Sequence, residues 1–242
     1  MNKSVVIYEQ NILFFSGPAG DFTYEIRSNS TALIHEEVKS FLKEKSKSSF
    51  LHAPDFIHIN VGIRHLVIPS AVFDPSLLGA YDERMYGELP DTLIIQTIQN
   101  KPLQVQLMQA QPSWLKSLIG SSFSEQTYHI AQNLLLKDIP LTYSLHICIF
   151  CFNSQCYLSI QEPKKLWYSD FISMQSIDDI VFTLLNVTSQ INLAFTSGKI
   201  IVGGIHPTFK PEAIISDLNR LEALNSMEKT VFSMNELLDP IQ

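Results

Sequence analysis

The chain has 242 residues, 17 Lys+Arg against 24 Asp+Glu for a formal net charge of −7, and 45 % hydrophobic against 17 % charged residues. That balance is the composition of a globular protein rather than a disordered one, and a sequence pI near 5.4 argues against a general nucleic-acid binder, which needs a positive field. The longest uninterrupted apolar run is Ile147 to Phe152, whereas a membrane-spanning helix needs about 20 apolar residues, so no membrane span is expected.

Ser4–Tyr8 and Ile12–Phe15 are β-prone runs separated by the polar tripeptide Glu9-Gln10-Asn11, which reads as a turn. Phe22–Arg27 alternates apolar and polar side chains and reads as a third strand. A helix is expected over Ala32–Lys45, where Ile34, Val38 and Phe41 recur at helical spacing and acids precede lysines along its length. Phe56–Val61 and His65–Ile68 are two more strands around Gly62. Asp74-Pro75 opens a second helix with Asp as its cap and Pro at the first helical position, running to about Tyr86. Leu93–Ile98 and Leu103–Met108 form a strand pair, Ser113 caps a short helix holding Trp114 and Leu115, and Gly120-Ser121-Ser122 marks an expected boundary between residues 1–122 and 123–242.

The second half repeats the order. Ser144–Phe152 is apolar on both faces and reads as a central strand. Asn153-Ser154 turns it into Gln155–Ile160, Pro163-Lys164 turns again into Leu166–Tyr168, and a long helix follows over Ile177–Ala194. Ser176 with Asp179 three residues later suits a capping box at its start. Lys199–Val202 reads as a buried strand ending in Gly203-Gly204, Pro211 opens a further helix, and Thr230–Met234 is a last strand. Strand-strand-strand-helix-strand therefore occurs twice, near residues 4–61 and 144–202, as a repeat of element order without a residue-level repeat.

Three stretches carry a resemblance: Leu66-Val67-Ile68-Pro69-Ser70-Ala71-Val72-Phe73, Leu166-Trp167-Tyr168-Ser169-Asp170-Phe171, and the acidic helix start Asp178-Asp179-Ile180-Val181-Phe182-Thr183-Leu184-Leu185-Asn186-Val187. In these the chain resembles an uncharacterised family of Bacteroides-like bacteria with an actin-like ATPase fold; Ser169 stands where that family has Asn. The resemblance implies an α/β protein of two ribonuclease-H-like halves facing each other across a cleft, with no assigned function. Actin-like ATPases place an Asp-x-Gly turn after the first strand of each half, where carboxylates hold Mg²⁺ or its waters and glycine lets backbone N–H groups reach phosphate. Here the corresponding positions are Glu9-Gln10-Asn11 and Asn153-Ser154. Neither has glycine and the second has no carboxylate. Ile200-Ile201-Val202-Gly203-Gly204 looks like the strand and Gly-Gly against which adenosine packs in those ATPases, and it also suits a tight strand-to-helix turn.

The candidate binding residues are thus Glu9, Asn11, Asn153, Ser154, Gly203 and Gly204, with no catalytic or metal-ligating residue assigned. The expectation is a non-catalytic binding or scaffold protein with degenerate phosphate turns and an unknown protein partner, no cofactor being required. The alternative is a divergent ATPase holding ATP and Mg²⁺ in the inter-lobe cleft. His146, Cys148, Cys151 and Cys156 invite a metal reading, but strand residues three apart face opposite sides, so Cys148 and Cys151 are expected as core thiols. Three cysteines and a broken N-terminal apolar run fit a cytoplasmic setting. His58 and His65 are expected as exposed strand histidines. The scattered Asp55, Asp74, Asp82, Glu83, Asp91 and Asp170 argue against a two-metal nuclease, which needs its acids clustered. Phe73, Tyr81, Met85 and Tyr86 gather apolar surface on the second helix.

Overall fold

The structure, a computed structural model, describes residues 4–9, 11–17, 20–28, 30–45, 56–61, 65–86, 92–97, 104–111, 114–115, 127–131, 134, 144–195, 197–205, 209–233 and 236. The chain divides into two compact units, one of Met1–Thr97 with Val105–Asn133 and one of Ile98–Gln104 with Leu134–Gln242. The expected boundary at Gly120-Ser121-Ser122 lies outside the described residues, as do Asp55, Asp91 and the side chains of Asp82, Met85 and Tyr86.

In the first unit β1 (Ser4–Glu9), β2 (Ile12–Gly17) and β3 (Gly20–Glu25) form an antiparallel meander. Helix α1 (Thr31–Lys45) then carries the chain across to β4 (Phe56–Val61), which pairs parallel with β1; a parallel neighbour can be reached only by such a crossover. A short strand that shows no period in the sequence follows much later. Within the five-stranded sheet β3-β2-β1-β4-β8, it is β8 (Thr127–Ile130), parallel to β4. Val6, Leu13, Phe15 and Ile26 pack with Val38 of α1, Trp114 and Leu115, and the rings of Phe15 and Phe22 stack at 4.7 Å.

Between β4 and β8 the chain builds a separate antiparallel sheet of order β5-β7-β6 from β5 (His65–Pro69), β6 (Thr92–Thr97) and β7 (Val105–Gln111). The expected Leu93–Ile98 and Leu103–Met108 pair is this β6–β7 ladder. Asp74 does cap the second helix: its carboxylate accepts the Ser76 N–H at 2.8 Å and the Ser76 hydroxyl at 2.7 Å, bonds that hold its pKa below the usual carboxylate value. The first turn, Pro75–Leu77, is 3₁₀, and α2 proper spans Leu78–Tyr86. Phe73 stacks on Tyr81 at 6.1 Å.

The expectation of exposed histidines is corrected at His58. It is fully buried, because β4 is an inner strand flanked by β1 and β8 and shares its face at that point with core residue Val6. His65 is half-buried and lies on β5 in the smaller sheet, so the two do not face each other across a ladder.

Glu37 ties α1 to the end of the meander. Its carboxylate accepts the Tyr24 hydroxyl at 2.7 Å and the Arg27 and Ser28 N–H groups at 2.9 and 3.0 Å. Bonds from Ser28, Tyr24 and Arg27 pull its pKa down to about 2, while burial and then Glu37 push the Tyr24 phenol up to about 12. A depressed carboxyl stabilises the fold fully above its unfolded value near 4.5, and that contribution fades as pH falls toward 2. Replacing Glu37 with Gln is therefore expected to lower the thermal midpoint at pH 7, with wild type and variant converging as pH drops toward 2. A gap that stays constant over that range contradicts the assignment. The raised Tyr24 acts in the opposite direction, its contribution being lost only as pH rises from 10 toward 12.

The second unit repeats the first in order and sense. Meander β9 (His146–Cys151), β10 (Gln155–Glu162) and β11 (Lys165–Ser173) leads through α3 (Ile177–Gln190) to β12 (Gly198–Gly204), parallel to β9. Helix α4 (Pro211–Leu218) then leads to β13 (Met227–Phe232), parallel to β12, for a sheet order β11-β10-β9-β12-β13. Both five-stranded sheets thus combine an antiparallel meander with two further strands that run parallel to its first strand. Strand β9 is buried at every position, which explains its unbroken apolar run. One face, with Ile147, Ile149, Leu158, Ile160 and Val202, packs under Ile180 and Leu184 of α3 and Ile214 and Leu218 of α4. On the other face Phe150, Phe152, Tyr157 and Phe171 form a chain of tilted rings, and the Tyr157 hydroxyl meets Ser169 Oγ at 2.9 Å. Gln155, Ser159 and Gln161 share that face and are buried too.

Helix α3 ends in a Schellman turn. Asn192 takes a left-handed φ of 50°, its N–H returns to Ser189, and the Leu193 N–H returns to Thr188. Strand β11 forms one margin of its sheet. Within it the Asp170 carboxylate accepts the Phe171 N–H at 2.8 Å. The ladder shifts register between Ile160 and Gln161, a bulge that adds local twist.

Candidate functional site

The polar tripeptide after the first strand is not all turn. Glu9 is the last residue of β1, paired with Ile12 across the hairpin and with Val61 on β4, and it is only 3 % exposed. A two-residue loop suffices to reverse the chain, so the ladder runs one residue further than polarity suggests. Asn11 is an exposed loop residue whose carbonyl accepts the Ile26 N–H at 2.7 Å.

In the second unit, Asn153 and Ser154 form the loop between β9 and β10, both half-buried. The Phe152 N–H donates to Gln155 O at 2.8 Å across the loop's base. The Ser154 carbonyl accepts the Met174 N–H at 3.3 Å, tying the loop to the end of β11. From there the chain enters α3. The Asp179 carboxylate accepts the Gln175 and Ser176 N–H groups at 2.8 Å each, bonds that lower its pKa, as the expected capping box requires.

The two hairpins superimpose by register alone. Glu9 pairs with Ile12 around a two-residue loop, and Phe152 meets Gln155 around another. Phe152, fully buried among aromatic rings, therefore occupies in the second half the place that Glu9 holds in the first. Sequence inspection of the turns misses this pairing, because only the ladder says which residues correspond. The loop backbone is equally informative. Among the described non-glycine residues only Asn192 has a positive φ, so neither Asn153 nor Ser154 supplies the left-handed residue that an anion-cradling nest of successive N–H groups needs.

Gly203 and Gly204 end β12 at the same end of the sheet as Asn153 and Ser154, for Gly204 pairs with Cys151. Both glycines have a local reason. A Cβ on Gly203 would stand 2.6 Å from the Phe232 carbonyl and 2.7 Å from the Phe150 ring. Gly204 has a φ of +143°, and its Cβ would lie 2.2 Å from the Cys151 carbonyl. Of the six candidate residues, Glu9 and Asn11 belong to the first unit. The other four meet at one end of the second sheet.

All three cysteines are buried thiols. Cys148 pairs with Ser159 and Cys151 with Cys156, on opposite faces of β9 as their spacing predicts. Burial, followed by the neighbouring Cys151, pushes the Cys156 thiol well up from its ordinary value. Among the described residues no group of three or more His, Cys, Asp or Glu is placed to hold a metal ion, and no helix is long and apolar enough to cross a membrane.

No family model matches the sequence, and no curated protein matches it. A solved structure does. A Bacteroides thetaiotaomicron protein with an actin-like ATPase fold and unknown function is similar over 99 % of this chain and 93 % of that one, with a TM-score of 0.64 at 14 % identity. The chain has an actin-like ATPase fold. Fainter likenesses are to the PilM–PilN type IV pilus biogenesis complex, with a TM-score of 0.49 at 12 % identity over 99 % of this chain and 94 % of that one. The ethanolamine utilization protein EutJ from Carboxydothermus hydrogenoformans follows at 0.46 and 10 % over 98 % and 86 %. At these identities the likeness is one of fold, and the actin-like frame by itself assigns no activity.

Proposed function

We propose that this actin-like protein is a non-catalytic binding or scaffold protein, a duplicated ribonuclease-H-like pair whose phosphate-binding turns are degenerate. The observation that carries this reading is Phe152. In an actin-like ATPase each first hairpin contributes to the grip on phosphate and magnesium, and here the second hairpin puts a buried ring where the first puts Glu9. Its loop residues Asn153 and Ser154 add neither a carboxylate nor a left-handed backbone. A hard cation such as Mg²⁺ needs oxygen ligands and surrounding water, and an aromatic ring provides none. Phe182 and Leu185, exposed one helical turn apart on α3, support a protein as the partner.

Glu9 favours a second reading. A carboxylate buried at the carboxyl end of a central strand is where open α/β sheets place ligand-binding groups, and this keeps a divergent nucleotide site open to test. Titration calorimetry with ATP and Mg²⁺ separates the two. The scaffold reading expects no saturable heat at millimolar nucleotide. Micromolar, magnesium-dependent binding that Glu9→Gln abolishes replaces it with the ATPase reading.

A further inference from the structure

Three sulfur atoms converge at the base of the β9–β10 hairpin. Cys151 Sγ lies 3.7 Å from Cys156 Sγ and 3.9 Å from the thioether sulfur of Met174. Cys151 and Cys156 are direct partners across the two strands, and the backbone of Met174 is held to the hairpin through Ser154. The two thiols are fully buried and Met174 is 6 % exposed. Cys148, on the opposite face, is not part of the group.

We propose that Cys151, Cys156 and Met174 form a binding site for one soft, thiophilic metal ion of the copper(I) type. Thiolate and thioether donors select such ions over harder ones. Two sulfurs bound to one ion at a metal–sulfur distance of ~2.3 Å stand at most ~4.6 Å apart, a limit that both spacings at Cys151 meet. Burial suits a monovalent soft ion, which needs neither water ligands nor an open coordination position. Binding displaces the two thiol protons to solvent, the ion keeps its oxidation state, and two metal–thiolate bonds and one metal–thioether bond form. The side chains packed around the three sulfurs are Ile, Leu and Met, and the Cys156 thiol also donates to the Tyr157 carbonyl at 3.5 Å; a soft ion suits such sulfur donors better than Mg²⁺ or Ca²⁺, which need several oxygen ligands.

The test is an anaerobic competition titration of the reduced full chain with copper(I) supplied as its bicinchoninate complex. Wild type and Cys148→Ser are expected to withdraw one equivalent. Cys151→Ser and Cys156→Ser are expected to withdraw none, and Met174→Leu to bind about tenfold more weakly. Met174→Leu conserves volume, so its loss of affinity reads the site even if the cysteine variants fold poorly. The proposal is overturned if wild type takes up no copper, if Cys148→Ser loses as much as Cys156→Ser, or if the treated chain is recovered metal-free with Cys151 and Cys156 joined in a disulfide.

Discussion

Gly204→Val is expected to cost about 4 kcal/mol or more, enough to place it among the exceptional single substitutions. Two costs act together. At a φ of +143° any side chain is strained, and the new Cβ would lie 2.2 Å from the Cys151 carbonyl and 2.8 Å from its nitrogen. Those are backbone atoms of the central strand and cannot swing aside like the tip of a flexible side chain. Nor can β12 retreat freely, because the Ile205 N–H donates to that same carbonyl at 2.8 Å. Equilibrium urea unfolding is the measurement: the midpoint should fall by more than about 1 M, given slopes of about 1–3 kcal/mol/M. A variant that unfolds within a few tenths of a molar of wild type would mean that the β9–β12 edge is looser than its ladder implies.

Phe150→Ala is the second large effect, expected at about 3–5 kcal/mol. The ring is fully buried, sits 5.0 Å from Phe152, and fills the space a side chain on Gly203 would otherwise occupy. Its removal leaves a void opposite a residue with no side chain to collapse into it, so the cavity cost adds to the lost transfer energy. The expected signature is a lowered urea midpoint with the slope unchanged. A changed slope would point instead to a rearranged native state.

How far the sequence told this story depends on which physical signal each element leaves behind. Strand β9 announces itself because burial on both faces demands an apolar residue at every position. Helix α3 is equally plain, its start marked by Ser176 and Asp179 and its stripe by Ile180 and Leu184. Strand β10 misleads. Gln155, Ser159 and Gln161 alternate with apolar neighbours as if they met water, yet all three are buried. His58 and Glu9 mislead for the same reason, since polarity predicts exposure only where a sheet keeps a free face. The four-residue β8 is too short to show a period. Among the candidate site residues, the sequence exposes the missing glycines and acids of the turns, but the correspondence of Phe152 with Glu9 exists only once the hairpins are registered.

The marginal strand β11 carries a last consequence. Nine residues long and holding Leu166, Trp167, Tyr168, Phe171 and Ile172, it pairs on one side only among the described strands, the kind of border onto which like chains can stack into fibres. Two modest devices stand against that: the bulge opposite Gln161, and the Asp170 carboxylate that already accepts the Phe171 N–H. Resistance to such stacking thus rests on a bulge and a carboxylate that both act on the backbone of the border itself.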